Sequence, residues 1–253
     1  MRNNNLIKKK KKKGNIITFE DALKVSNLSR ESLRVVLLRL EKRGIIERIE
    51  KGKYLIIPLG AEKGEYTLHE FVIGSTLINP HYISYWSSLN YYGLTEQIPT
   101  TVFLQTTTRK KKQEIKIFGV KYQIIRIKKE KIFGIRKEWI EETQINITDK
   151  EKTIIDCLDK PQYCGGIIEV AKALKNNKFD RKKLEDYAQR IANSGVIRRL
   201  GYLCELFNIK VKLPKQNVRN YLSLDPTIPE EGPKSAKWRL IVNLDEKILG
   251  ELE

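Results

Sequence analysis

Residues 29–44 read SRESLRVVLLRLEKRG, followed by IIERIE at 45–50 and KYLIIP at 53–58. In the first stretch Leu33, Val36, Leu37 and Leu40 recur at i, i+3, i+4 and i+7, a spacing that gathers apolar side chains on one face of an α-helix. Ser29 can accept a hydrogen bond from a free N–H of the first turn, and Gly44 supplies the C-terminal stop. The two β-type runs behind it are joined through Lys51-Gly52, a hairpin signal. Upstream, Thr18 precedes FEDALKVSN with Asp21 three residues on, a capping-box arrangement for a second helix. Before that, residues 6–13 read as a short basic helix ended by Gly14. Three helices and a two-stranded ribbon, in that order over residues 1–60, are the pattern of a winged helix-turn-helix.

The side chains left outside the apolar stripe suggest what this unit is for. Arg30, Arg34, Arg39, Lys42 and Arg43 project from the last helix, Ser29 and Ser32 stand at its start, and Arg48, Lys51 and Lys53 decorate the ribbon. A major groove accepts one α-helix, arginine can read guanine O6 and N7 with two hydrogen bonds, and neighbouring cations can hold phosphates. These ten residues are the expected DNA contacts. An exposed basic helix face can also be merely solvated. Here the helix order, the basic ribbon and the whole-chain charge agree, with 49 Lys+Arg against 31 Asp+Glu giving a net charge of +18 over 253 residues. The run Lys8–Lys13 reads either as a phosphate-contacting edge of the first helix or as a solubilising tail.

From position 61 the composition shifts, and residues 61–253 read as a larger mixed α/β domain, making the chain α+β. Segments 66–79 and 80–92 read as helices, the second opened by Pro80. A strand pair is expected at 101–107 and 114–128, separated by the cationic loop Arg109, Lys110, Lys111, Lys112. Segments 149–158, 166–175 and 181–207 read as helices and 238–244 as a late strand, with surface loops at 141–148 and 214–236. Arg198, Arg199 and Tyr202 lie beside an apolar helical set. With the 109–112 loop, the two arginines are candidates for gripping a partner or a polyanion.

Other classes fall away. No run of about 18 apolar residues exists for a membrane span, and polar residues follow Lys13 where an export signal needs an apolar stretch. Cys157, Cys164 and Cys204 lack zinc-type C-x-x-C spacing, so buried thiols in a reducing cytoplasm are expected. The sequence holds no G-x-x-x-x-G-K-[ST], G-x-G-x-x-G, H-E-x-x-H or G-x-S-x-G. His69 and His81, the only histidines, lack accompanying ligand spacing. Gly74-Ser75 resembles the start of a nucleotidyltransferase motif, but no Asp occurs between Leu59 and Ile147 to hold metals. Glu114-Ile115-Lys116 has the Glu-x-Lys ending of restriction-like nucleases without the upstream Asp. Asp149, Glu151 and Asp156 form a carboxylate group that a helix N-terminus explains in part. No cofactor, metal or catalytic residue is expected.

Five ordered blocks carry a family resemblance: LRLEKRGIIERIEKGKYLIIP (38–58), PHYISYWSSLNYYGLTEQIP (80–99), TDKEKTIIDCLDKPQYCGGIIEVAKAL (148–174), RRLGYLCE (198–205) and WRLIVNL (238–244). The chain resembles the AbiEi antitoxins, the regulator half of AbiE-type abortive-infection (type IV toxin-antitoxin) systems. The resemblance implies an N-terminal winged helix that represses its own operon by binding double-stranded operator DNA. It also implies a C-terminal antitoxin domain over 61–253 that counteracts a cognate nucleotidyltransferase toxin encoded alongside. The hexalysine run is heavier than the family's usual first helix. A DNA-binding module that delivers a nuclease-like enzyme is the alternative, and a stand-alone regulator with a small-molecule sensing domain comes third.

Overall fold

The structure, a computed structural model, describes residues 15–58, 60 and 67–245. The expected basic helix at 6–13, with its lysine run, lies outside the described residues. Among them, no helix is long and apolar enough to cross a membrane, and the architecture is mixed α+β.

The first element among the described residues is a strand that the sequence did not announce, β1 (Ile16–Thr18). Three residues are too few to show a period of two. Thr18 then caps α1 (Phe19–Ser26): its Oγ1 accepts from the Asp21 N–H at 3.1 Å, and the Asp21 carboxylate accepts from the Thr18 N–H at 3.4 Å. Ser29 opens α2 (Arg30–Lys42), its Oγ accepting from the Ser32 N–H at 3.1 Å. Left-handed Gly44 follows, then β2 (Ile46–Glu50) and β3 (Lys53–Ile56), which pair antiparallel. Because β1 lies along the free side of β3, the sheet has three strands in the order β1-β3-β2 rather than the expected two.

Alternation along β3 gives this small sheet two apolar faces. Ile56, with Ile17 and Ile46, turns toward Leu33, Leu37, Leu40 and Ala22 and forms a first core. Leu55 and Ile57, with Ile49, turn the other way and pack with Leu68, Phe71, Val72 and Leu77. Packing therefore crosses position 60, and the apolar patterns on the two sides of that position are not independent.

Beyond that position come α3 (Glu70–Leu77), β4 (Tyr82–Ile83) and α4 (Tyr85–Tyr91), then β5 (Thr101–Thr106), β6 (Glu114–Ile117), β7 (Val120–Arg126), β8 (Ile135–Ile140) and β9 (Thr143–Thr148). Together the strands form one six-stranded sheet in the order β6-β7-β5-β4-β9-β8. Two expectations are corrected here. Segment 114–128 is not one strand: it turns at left-handed Phe118 and Gly119 into the β6–β7 hairpin, and β7, not β6, pairs with β5, in parallel. Segment 141–148 is largely strand β9, whose Ile145 and Ile147 lie in the sheet core.

A helical layer covers the other side: α5 (Lys150–Asp159), α6 (Ile167–Asn176), α7 (Arg181–Arg190) and α8 (Ser194–Leu206). The expected single helix 181–207 breaks at left-handed Ala192, after which the Asn193 side chain caps α8. The proline-rich 214–236 segment is not simply loop. It contributes β10 (Leu222–Ser223) and β11 (Lys234–Ser235), which flank β12 (Leu240–Ile241) in a small third sheet. All three cysteines are buried and free, and burial pushes the Cys157 and Cys204 thiols up, away from the reactive thiolate.

Candidate nucleic-acid interface

Once Leu33, Leu37 and Leu40 are turned inward, helical geometry fixes what α2 presents outward. Arg30, Arg34, Arg39, Lys42 and Arg43 are all exposed. Ser29 and Ser32 are exposed too, but their hydroxyls bond each other at 3.0 Å while Ser29 caps the helix. Between α2 and the β2–β3 turn lies an open groove of about 640 Å³, to which Arg30, Arg34, Arg48 and Lys51 contribute cations and Glu20 and Glu41 contribute carboxylates. Arg30 is ion-paired with Glu20, its guanidinium 5.5 Å from the centre of the Phe19 ring. The turn itself is tied down. Gly52, left-handed at φ 79°, accepts a 2.7 Å hydrogen bond from the Phe19 N–H through its carbonyl.

Lys53 departs from the expected set. Its ammonium donates to Glu50, its partner across the β2–β3 turn, at 2.7 Å and to the Thr76 carbonyl in the last turn of α3, so it is tied to α3 instead of projecting freely. Lys110 meets it there, donating to Glu50 at 3.2 Å and to the Leu77 carbonyl at 2.6 Å. Burial tends to raise the Glu50 carboxyl, but the two ammonium groups outweigh that and hold its pKa below 4.5. One carboxylate thus joins the ribbon, the end of α3 and the 109–112 loop. Arg109, Lys111 and Lys112 remain exposed, and Lys110 places them beside the ribbon.

Arg198 and Arg199 correct another expectation. They are only 2% and 8% exposed. Arg198 donates to the carbonyls of Asn220 and Arg239 at 3.0 and 3.1 Å. Arg199 donates to those of Leu224, Leu158 and Ser223 at 2.9, 3.1 and 3.2 Å. Both pin the 220–239 segment onto α8, and neither is exposed at the surface.

Each candidate for chemistry has a local structural partner. Asp149 caps α5, accepting from the Lys152 N–H at 2.8 Å and from the Tyr187 hydroxyl at 3.0 Å. Glu151 accepts from the Asp180 N–H at 2.9 Å, Asp156 pairs with Lys152, and Glu114 pairs with Lys121 at 2.9 Å. His69 caps α3, its Nδ1 accepting from the Phe71 N–H at 3.1 Å. Among the described residues no three His, Cys, Asp or Glu side chains gather as metal ligands would.

Two further residues of α2 stand out: Val35 and Leu38 are 48% and 53% exposed. Their spacing carried the signal, since both fall off the i, i+3, i+4, i+7 stripe in a run, VVLL, that reads as uniformly apolar.

The model of a family described as transcriptional regulator, AbiEi antitoxin, matches residues 7–57, the segment holding α1, α2 and the three-stranded sheet, and so supports the resemblance read from the sequence. A comparison with curated proteins gives no match. Among solved structures, the chain is similar to the crystal structure of the RV2827C protein from Mycobacterium tuberculosis, at 12% identity and a TM-score of 0.63, covering 92% of this chain and 88% of that one. At that identity the likeness is one of fold.

Proposed function

We propose that the chain is a repressor-antitoxin whose residues 1–60 form a winged helix-turn-helix, with α2 as the recognition helix and the β2–β3 ribbon as the wing. The unit binds operator DNA upstream of its own gene, and residues 61–253 counteract a nucleotidyltransferase toxin encoded beside it, in the cytoplasm. The observation that carries the DNA half is the groove between α2 and the ribbon, where Arg34, Arg48 and Lys51 converge on one concave surface. A phosphate backbone is a convex polyanion of opposite charge. The antitoxin half rests on the family match at 7–57.

The same reading reassigns the 109–112 loop. Set beside the wing by the Lys110–Glu50 pair, Arg109, Lys111 and Lys112 extend the DNA-facing cations instead of gripping the toxin.

In mobility-shift assays the full chain is expected to bind its own upstream region more tightly than random duplex. The logarithm of affinity should fall with the logarithm of salt by about 0.9 per phosphate contacted. Changing Arg109, Lys111 and Lys112 together to Gln should weaken all duplexes alike and make that slope shallower. Equal affinity for both duplexes would discard the repressor.

Co-expression supplies the second test. The full chain should restore growth to cells expressing the neighbouring reading frame, and a folded chain that fails to do so would discard the antitoxin. Metal-dependent cleavage of DNA or RNA by the purified protein would favour the nuclease-like alternative.

A further inference from the structure

The charges on α2 are not spread evenly round its exposed side. At about 100° per residue, Arg34 and Arg39 stand about 140° apart, with Val35, Leu38 and Glu31 in the arc between them. Arg30 extends the flank of Arg34 toward the groove, and Arg43 extends that of Arg39. Lys42 lies on the centre line in the last turn and closes the C-terminal end of the strip with a cation. Ahead of Lys42, the outermost strip of α2 is thus two exposed aliphatic side chains and a carboxylate, bordered on both sides by guanidinium groups, with the half-buried Glu41 between Arg34 and Arg30 on the groove side.

We infer that α2 reads the 5-methyl groups of thymine through Val35 and Leu38, while the arginines on its flanks hold the two phosphate backbones. The inference rests on α2 being the recognition helix and names what that helix recognises. A helix about 10–12 Å across fills a major groove about 12 Å wide, so its flanks face the two strands and its outermost strip faces the base edges. On that floor the thymine methyl is the apolar feature, and a carboxylate can accept from the amino group of cytosine. Cations on the strip's borders meet phosphates, and the carboxylate in its centre stays away from them. Apart from Glu41 on the Arg34 flank, the charge pattern of the helix thereby matches the groove. Base reading by Arg34, which the sequence suggested, gives way to phosphate contact, because Arg34 stands on the flank that faces the wing.

The test begins with selection from a randomised duplex pool by the full chain. The selected site is expected to hold thymines at two or more positions under α2. It is then remade with deoxyuridine for thymidine, which removes the methyls and leaves every hydrogen-bonding edge unchanged. Affinity should fall about four-fold per methyl contacted, or about fifteen-fold for two. The double variant Val35→Ala, Leu38→Ala should bind thymidine and deoxyuridine duplexes equally while keeping the wild-type salt slope. A wild-type protein that binds both duplexes with one affinity overturns the inference and leaves DNA binding standing. Failure to select any site above random overturns the DNA reading beneath it. A double variant that lowers the mass of a self-associated protein in sedimentation would assign the strip to a second copy instead, and this too overturns the inference.

Discussion

Replacing Lys152 by Met is expected to destabilise the fold by about 3 to 5 kcal/mol, the usual cost of leaving one member of a buried ion pair without its partner. Lys152 is fully buried on α5, its ammonium paired with Asp156 one turn on and 4.7 Å from the centre of the Phe133 ring. Burial raises the Asp156 carboxyl above its ordinary 3.8, and the Lys152 charge opposes that rise. Without the lysine the carboxyl climbs further. A carboxyl raised in the folded state binds its proton more tightly there than in the unfolded chain, so stability falls as pH rises from 3.8 through the folded value. Urea titrations should therefore show a larger deficit at pH 8 than at pH 5. The double variant Lys152→Met, Asp156→Leu should recover most of the loss, since replacing both members by apolar residues is close to neutral. A single variant within about 0.5 kcal/mol of wild type, the range of surface changes, would show that the pair is not shut away from water.

Two adjacent leucines give the second large effect. Leu37→Ala should cost about 2 to 5 kcal/mol, because it removes a buried side chain from the small core formed with Ile17, Leu33, Leu40, Ile46 and Ile56. Leu38→Ala, one position on and 53% exposed, should stay within about 0.5 kcal/mol. Thermal melts of the two full-length variants, followed by circular dichroism, check the contrast. Similar losses at both positions would mean that the buried face of α2 is assigned wrongly.

What could be read from the sequence follows the distance over which each signal acts. The Thr18–Asp21 box, the Ser29 cap, the Leu33/Leu37/Leu40 stripe and the Lys51-Gly52 turn are contacts within a few residues, and all stand in the structure. Strand β9 escaped notice because Thr143–Thr148 holds only two inward isoleucines, its hairpin partner β8 went unread with it, and its other neighbour β4 is short and far away in the chain. The parallel pairing of β5 with β7 has no local signal, and adjacency in the chain suggests a hairpin instead. Arg198 and Arg199 misled for a related reason. A guanidinium is normally exposed, and the carbonyls that hold these two inside belong to residues up to 41 positions away. Lys53 looked like a wing cation because its partners, apart from Glu50, come from residues well beyond the wing.

The double-sided ribbon sets a rule for engineering chimaeras. A graft that exchanges residues 15–58 between relatives would sever Ile49, Leu55 and Ile57 from Phe71, Val72 and Leu77, and would strand Glu50 without Lys110. The recipient would show an oily, charge-mismatched scar where the donor had a seat. A transplant that also carries α3 and the 109–112 loop keeps that seat intact. The portable cassette is thus a set of residues discontinuous in the gene, and recombination at the composition shift near position 61 would tend to yield misfolded hybrids instead of regulators with new operators.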